Sequence, residues 1–140
     1  KYFYYLKTII KKINLKEIEF VEDFKDINKF LSKVDLYICT SKAESSPLSV
    51  WEALSMGIPV VSTDVGDVPV FVQHNVNGYI SPVGDINDLS NNAIKILSEN
   101  LIAKIFAERS RQVAVNKLDI SISAQKHLNH YQKLLREPIG

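Results

Sequence analysis

Residues 35–63 constrain the fold of this chain more than any other stretch. Two short apolar runs of strand character, residues 35–41 (DLYICTS) and 59–63 (PVVST), flank one helical segment. Ser46 is placed as its N-cap, Pro47 suits the first helical position where a missing N–H costs nothing, and Gly57 followed by Pro59 ends it. The unit reads as strand, loop, helix, strand. In open parallel sheets the loop leaving the carboxyl end of a strand is where ligands bind, and a helix N-terminus there offers unpaired N–H groups and partial positive charge. Two carboxylates frame that position: Glu44 in the loop and Glu52 on the helix, with seven residues between them. At about 1.5 Å per residue they stand roughly 8 to 10 Å apart along the helix, the span of one sugar ring or ribose. A carboxylate accepts from two vicinal hydroxyls at once, so this pair suits a sugar nucleotide whose pyrophosphate meets the helix start.

The remaining chain alternates helices with short strands. Phe3, Leu6, Ile10 and Ile13 predict an amphipathic helix over residues 2–13, followed by a strand at 18–21 (IEFV). Ile27, Phe30, Leu31 and Val34 mark a second helix. A short helix is predicted over 68–73, and Asn77-Gly78 turns the chain into a strand at 79–81. Asp85 caps a helix running to about Ser98 with Asp88 in its first turn, and helices over 101–117 and 121–136 complete the chain. Four strands alternating with helices predict an α/β domain, a parallel sheet flanked by helices.

A chain of 140 residues, 46% hydrophobic, builds one globular domain. Its net charge of +1 and pI near 8.0 argue against a nucleic-acid binder. Lys11, Lys12 and Lys16 read as the solvated face of a helix, with an anionic membrane surface as the sharper alternative. Cys39 is the only cysteine, which rules out an internal disulfide and suits a cytoplasmic setting; its place in an apolar strand predicts core packing. No apolar run approaches the length of a membrane span, and residues 1–12 do not form a signal peptide. Trp51 and Met56 are expected in the core and His74 on the surface. His127 and His130 are read as a solvated face rather than a metal site, and Asp64 and Asp67 as loop or cap residues.

The block ESSPLSVWEALSMGIPVVSTDVGDVPVFV, followed by NGYISPVGD, resembles the sugar-donor-binding region of family 4 retaining glycosyltransferases of the GT-B fold, the glycosyl transferases group 1. The resemblance runs from about Glu17 to the C-terminal helix. It implies a Rossmann-like parallel sheet with flanking helices, the C-terminal half of a GT-B fold. In that family the first Glu of the pair contacts the transferred sugar and the second holds the ribose, roles that fall on Glu44 and Glu52. Amides of the intervening loop and first helical turn, here Ser46, Pro47, Leu48 and Ser49, face the diphosphate and sugar. Pro47 has no N–H, which leaves Leu48 and Ser49 as the better hydrogen-bond donors. The implied sugar-donor set is Glu44, Ser45, Ser46, Pro47, Leu48, Ser49 and Glu52, with Glu44 catalytic. Many members read Glu-Gly-Phe-Pro where this chain has Glu44-Ser45-Ser46-Pro47, a Gly where it has Asp67, and a Glu where it has Val70.

The family also places an Arg and a Lys on an earlier strand and loop, and two domains are needed for a complete enzyme. The expectation is therefore a partial domain over residues 1–140, truncated at its N-terminus and lacking the N-terminal acceptor domain, its natural partner. With a strand order of 3-2-1-4-5-6, the absent strands are the middle ones, the run IEFV has no neighbour, and the isolated chain is poorly stable. The implied activity moves a hexose from a nucleoside diphosphate sugar to a saccharide or lipid-linked hydroxyl acceptor, as in capsule, lipopolysaccharide or glycolipid assembly. It needs no metal or other cofactor, and places the protein in the cytoplasm or at the inner face of the membrane. Alternatives are a non-catalytic nucleotide-sugar-binding or subunit-interaction domain, or another GT-B enzyme such as a phosphorylase or epimerase.

Overall fold

The computed structural model describes residues 2–21 and 25–136. In chain order these form α1 (Tyr2–Lys12), α2 (Ile27–Leu31), β1 (Tyr37–Cys39), α3 (Leu48–Ser55), β2 (Val60–Thr63), α4 (Val68–Phe71), β3 (Gly78–Ser81), α5 (Ile86–Ser98), α6 (Asn100–Val113), a π-helical turn (Ala114–Leu118) and α7 (Ile120–Arg136). The strands make one parallel sheet in the order β1-β2-β3, with Tyr37 opposite Val60 and Val60 opposite Gly78.

Central β2 is buried along its whole length, and its alternating side chains enter different layers. Val60 joins Cys39, Val50, Trp51, Ala53, Leu54, Val65 and Val68 beneath α3. Val61 joins Tyr79, Ala93, Ile96 and Phe106 beneath α5 and α6. Both faces are thereby covered, as parallel sheets require. Helix α3 ends as its sequence predicts: Gly57 takes φ +69, while its N–H bonds the Leu54 carbonyl (3.0 Å) and the Ile58 N–H bonds that of Ala53 (2.9 Å). Helix α5 is also capped as expected, the Asp85 side chain accepting from the Asp88 amide at 2.9 Å.

Four expectations are corrected. Residues 18–21 form no strand: β1 stands at the sheet edge among the described residues, and Phe20 instead packs edge-on against Phe3, ring centroids 5.0 Å apart. Ser46 does not cap α3; Pro47 occupies the N-cap position, so Glu52 is the fifth helical residue. The turn into β3 lies over residues 75–77, with the positive φ at Asn75 (+64°), and the strand begins at Gly78, one residue earlier than expected. Gly78 is required for closeness: a Cβ there would lie 2.4 Å from the Val60 carbonyl oxygen. Met56 is exposed at the end of α3, outside the core.

Asn77 ties the sheet to its helices. Its buried side chain accepts from the Gln73 amide (2.7 Å) and donates to the Phe71 carbonyl (2.9 Å), while its own carbonyl accepts from Ser110 Oγ (3.0 Å) on α6. Asn77→Ala leaves the first two groups without their partner and is expected to cost about 2 to 3 kcal/mol of folding free energy. Urea unfolding of the full-length protein measures it.

Candidate functional site

The loop joining β1 to α3 is held from below by β2. Thr63, the last residue of β2, donates from Oγ1 to the Ser41 carbonyl at 2.6 Å, and Ser41 in turn donates from Oγ to Glu44 Oε1 at 2.7 Å. Glu44 is therefore exposed yet oriented, its second oxygen left for other partners. Farther along, the Ser45 carbonyl accepts from the Asp67 amide at 3.0 Å. Gly66, at φ +53, lies so near that a Cβ would sit 2.3 Å from the Ser45 carbonyl oxygen. Only glycine combines that backbone with that approach.

The hydroxyl of Ser46, free of capping, accepts from Trp51 Nε1 at 3.1 Å. Trp51 also meets Phe71 edge-on at 4.7 Å between centroids, so the indole anchors the loop to the core. Pro47 is buried, and the chain turns there into α3 with Leu48 and Ser49 exposed. The amides of Leu48 and Ser49 open the helix and have no carbonyl within it to bond. Glu52, exposed, lies one turn beyond Ser49 on the same face.

Tyr37 on β1 joins these groups, and the sequence reading passed it over. Its hydroxyl donates to Ser49 Oγ at 2.7 Å. Partial burial raises its pKa; the Ser49 hydrogen bond opposes this, and the nearby Cys39, Glu52 and Glu44 add to the rise. Tyr37 shares a strand face with Cys39, two positions on, and a phenol directed toward a helix there needs a polar partner. That requirement was the available signal.

The other candidates lie elsewhere. His127 and His130 are exposed on α7, His74 is exposed with Nδ1 near the Ile80 backbone, and among the described residues no three His, Cys, Asp or Glu side chains gather as a metal site. Cys39 is buried. Among the described residues Asp67 Oδ1 is buried without a hydrogen-bond partner, at the position where the family pattern carries glycine. A cavity of about 410 Å³ lined by Val34, Gly57, Ile96 and Ala107 opens at the amino ends of β1 and β2, the end away from Glu44. Another, about 370 Å³, lies beside Thr40, Lys42, Thr63 and Ile86.

Residues 1–113 match the family described as Glycosyl transferases group 1. The chain belongs to this family. The matched segment includes α1, ahead of Glu17. Among curated relatives, the N-acetyl-alpha-D-glucosaminyl L-malate synthase of Bacillus anthracis is 25% identical over 130 residues, 92% of this chain and 34% of that protein. The amylovoran biosynthesis glycosyltransferase AmsK of Erwinia amylovora is 31% identical over 94 residues, 61% of this chain and 23% of that protein. The chain thus spans about a third of the length of one relative and about a quarter of the other. Among solved structures, HepE of Anabaena in complex with UDP superposes with a TM-score of 0.90 at 23% identity, covering 94% of this chain and 37% of that one. The C-terminal domain of the group 1 family protein LpcC from Francisella tularensis gives 0.75 at 20% identity, with 85% and 63% covered. The group 1 domain accordingly has the Rossmann-like fold of the C-terminal half of a GT-B glycosyltransferase.

Two substitutions in the Ser45 contact are expected to act in opposite directions. Gly66→Ala strains the left-handed backbone and drives a methyl group into the Ser45 carbonyl, lowering stability by more than about 1 kcal/mol. Asp67→Ala removes a buried carboxylate oxygen that has no partner and raises the melting temperature. Thermal melts of both variants beside the parent check the pair.

Proposed function

We propose that the chain is the sugar-donor half of a retaining glycosyltransferase that moves a hexose from a nucleoside diphosphate sugar to a hydroxyl acceptor. The observation that carries this reading is the placement of two exposed carboxylates, Glu44 and Glu52, around the open first turn of α3 at the carboxyl end of β1. Family membership supplies the chemistry. Glu52, fixed on the helix, accepts from the vicinal hydroxyls of the ribose. The Leu48 and Ser49 amides face the diphosphate, whose negative charge grows as it departs. Glu44, steadied by Ser41, orients the hexose and offsets charge developing at its anomeric carbon. Ser45, Ser46 and Pro47 shape the loop between them, and the family pattern adds an Arg and a Lys to the diphosphate site.

The acceptor oxygen bonds the anomeric carbon on the face that the diphosphate leaves, and its proton departs with the released diphosphate. A glycosidase-type covalent intermediate is disfavoured, because one of the two carboxylates serves the ribose. Amides, helix dipole and basic side chains together neutralise the leaving group, so the reading requires no metal. HepE was solved with UDP and with UDP-glucose, which supports a nucleotide-sugar donor here. The naming of AmsK for amylovoran biosynthesis supports an acceptor in polysaccharide assembly. No helix of the described residues is long and apolar enough to cross a membrane. We place the enzyme in the cytoplasm or at the inner membrane face, with its acceptor domain as partner.

Calorimetric titration of the full-length protein with UDP, GDP and ADP sugars tests the reading. One nucleotide is expected to bind, and Glu52→Ala to weaken it about 10- to 100-fold, the worth of hydrogen bonds to a charged group. Glu44→Gln is expected to lower kcat far more than it raises KM. A folded protein that binds none of the three overturns the proposal in favour of a non-catalytic interaction domain.

A further inference from the structure

Two hydroxyls joined by one hydrogen bond leave one proton over. Tyr37 spends its own on Ser49 Oγ, 2.7 Å away, so the Ser49 proton must point elsewhere. The serine is exposed on the first turn of α3, one turn before Glu52. We infer that Tyr37 is a positioning residue of the sugar-donor site: it holds the Ser49 hydroxyl so that its proton is given to an oxygen of the bound diphosphate. This rests on the donor-site reading above.

Geometry supports the division of labour. Tyr37 is set in β1, where Cys39 is buried and the backbone pairs in register with Val60, so the phenol is anchored by the sheet rather than by a flexible loop. Ser49 without it has staggered positions of similar energy to choose from. Fixing one of them in advance removes an ordering cost that ligand binding otherwise meets. The phenol remains protonated, since burial and the neighbouring carboxylates both disfavour its ionisation; it therefore stays a hydrogen-bond donor toward Ser49. A Ser49 hydroxyl so oriented adds a third donor to the Leu48 and Ser49 amides on the side where anionic charge is expected.

The test compares nucleotide with nucleoside. Binding of UDP, GDP and ADP, and of uridine, guanosine and adenosine, is measured by calorimetry on the full-length protein and its Tyr37→Phe, Ser49→Ala and doubly substituted forms. For the base that binds, Ser49→Ala is expected to weaken the diphosphate about tenfold and Tyr37→Phe somewhat less. The double variant should match Ser49→Ala alone, because the tyrosine acts through the serine. Nucleoside affinity should stay within about twofold throughout. Additive losses, or equal losses for nucleotide and nucleoside, overturn the inference, because they describe a direct or merely structural role. Should Tyr37→Phe not fold, Ser49→Ala alone decides through the nucleotide-to-nucleoside ratio. If Glu52→Ala weakens the nucleotide while neither hydroxyl variant does, this inference fails and the donor site stands; if the parent protein binds no nucleotide, both fail.

Discussion

Burial of β2 is the constraint on which the rest of the structure depends. Its adjacent valines, Val60 and Val61, enter opposite layers, so helices must cover both faces of the sheet at this strand. Helix α3 lies over one face, α5 and α6 over the other, and β1 and β3 take their register from the strand between them. Fully burying a valine is worth roughly 1.5 to 3 kcal/mol, and two of them sit at zero exposure here. The strand's polar end is equally determined. Ser62 and Thr63 are buried, and their hydroxyls bond the carbonyls of Thr63 and Ser41 rather than water. One strand thereby supplies both the apolar centre and the polar platform beneath the candidate site.

That platform explains how exposed carboxylates are nevertheless placed. Glu44 belongs to a loop, but the loop is fixed at three successive points: Ser41 by Thr63, Ser45 by Asp67 and the close approach of Gly66, and Ser46 by Trp51. Glu52 needs no such support because α3 carries it. The arrangement separates rigidity from accessibility. Partners on β2, α3 and the loop after β2 determine where the backbone lies, and the side chains proposed to meet a ligand remain in the open crevice. Membership of the glycosyl transferases group 1 gives this crevice its chemical context, and the proposed donor roles follow from the positions that match the family pattern.

Local signals were legible in the sequence where the interaction itself is local. The Gly57 stop and the Asp85 cap rest on neighbours within a few residues, and the β1-α3-β2 unit, with Glu44 and Glu52 at one end of it, was legible from the order of its consecutive segments. Errors arose where distant partners decide. Ser46 has the composition of an N-cap, but the Trp51 indole needs an acceptor and takes its hydroxyl. The run at 18–21 has strand composition, yet a strand exists only with a neighbour, and Phe20 packs edge-on against Phe3 instead. Gly78 reads as a turn residue and is a close-approach residue, a distinction set by Val60, eighteen positions earlier. The predicted helix over 101–117 ends at Val113 and widens into a π-helical turn, which its periodicity does not announce. Tyr37 went unremarked because its partner, Ser49, lies across the β1-to-α3 crossover.

The central claim is that the crevice between Glu44 and Glu52 receives the nucleoside diphosphate. Amide hydrogen exchange of the full-length protein, with and without saturating UDP, GDP or ADP, tests it most directly, because it reports where the ligand acts without assuming any residue. The account predicts slower exchange over residues 44–52, with the Leu48 and Ser49 amides foremost and α7 unchanged. A nucleotide that binds while leaving those amides unaffected, and that protects another region such as residues 82–89, would contradict it.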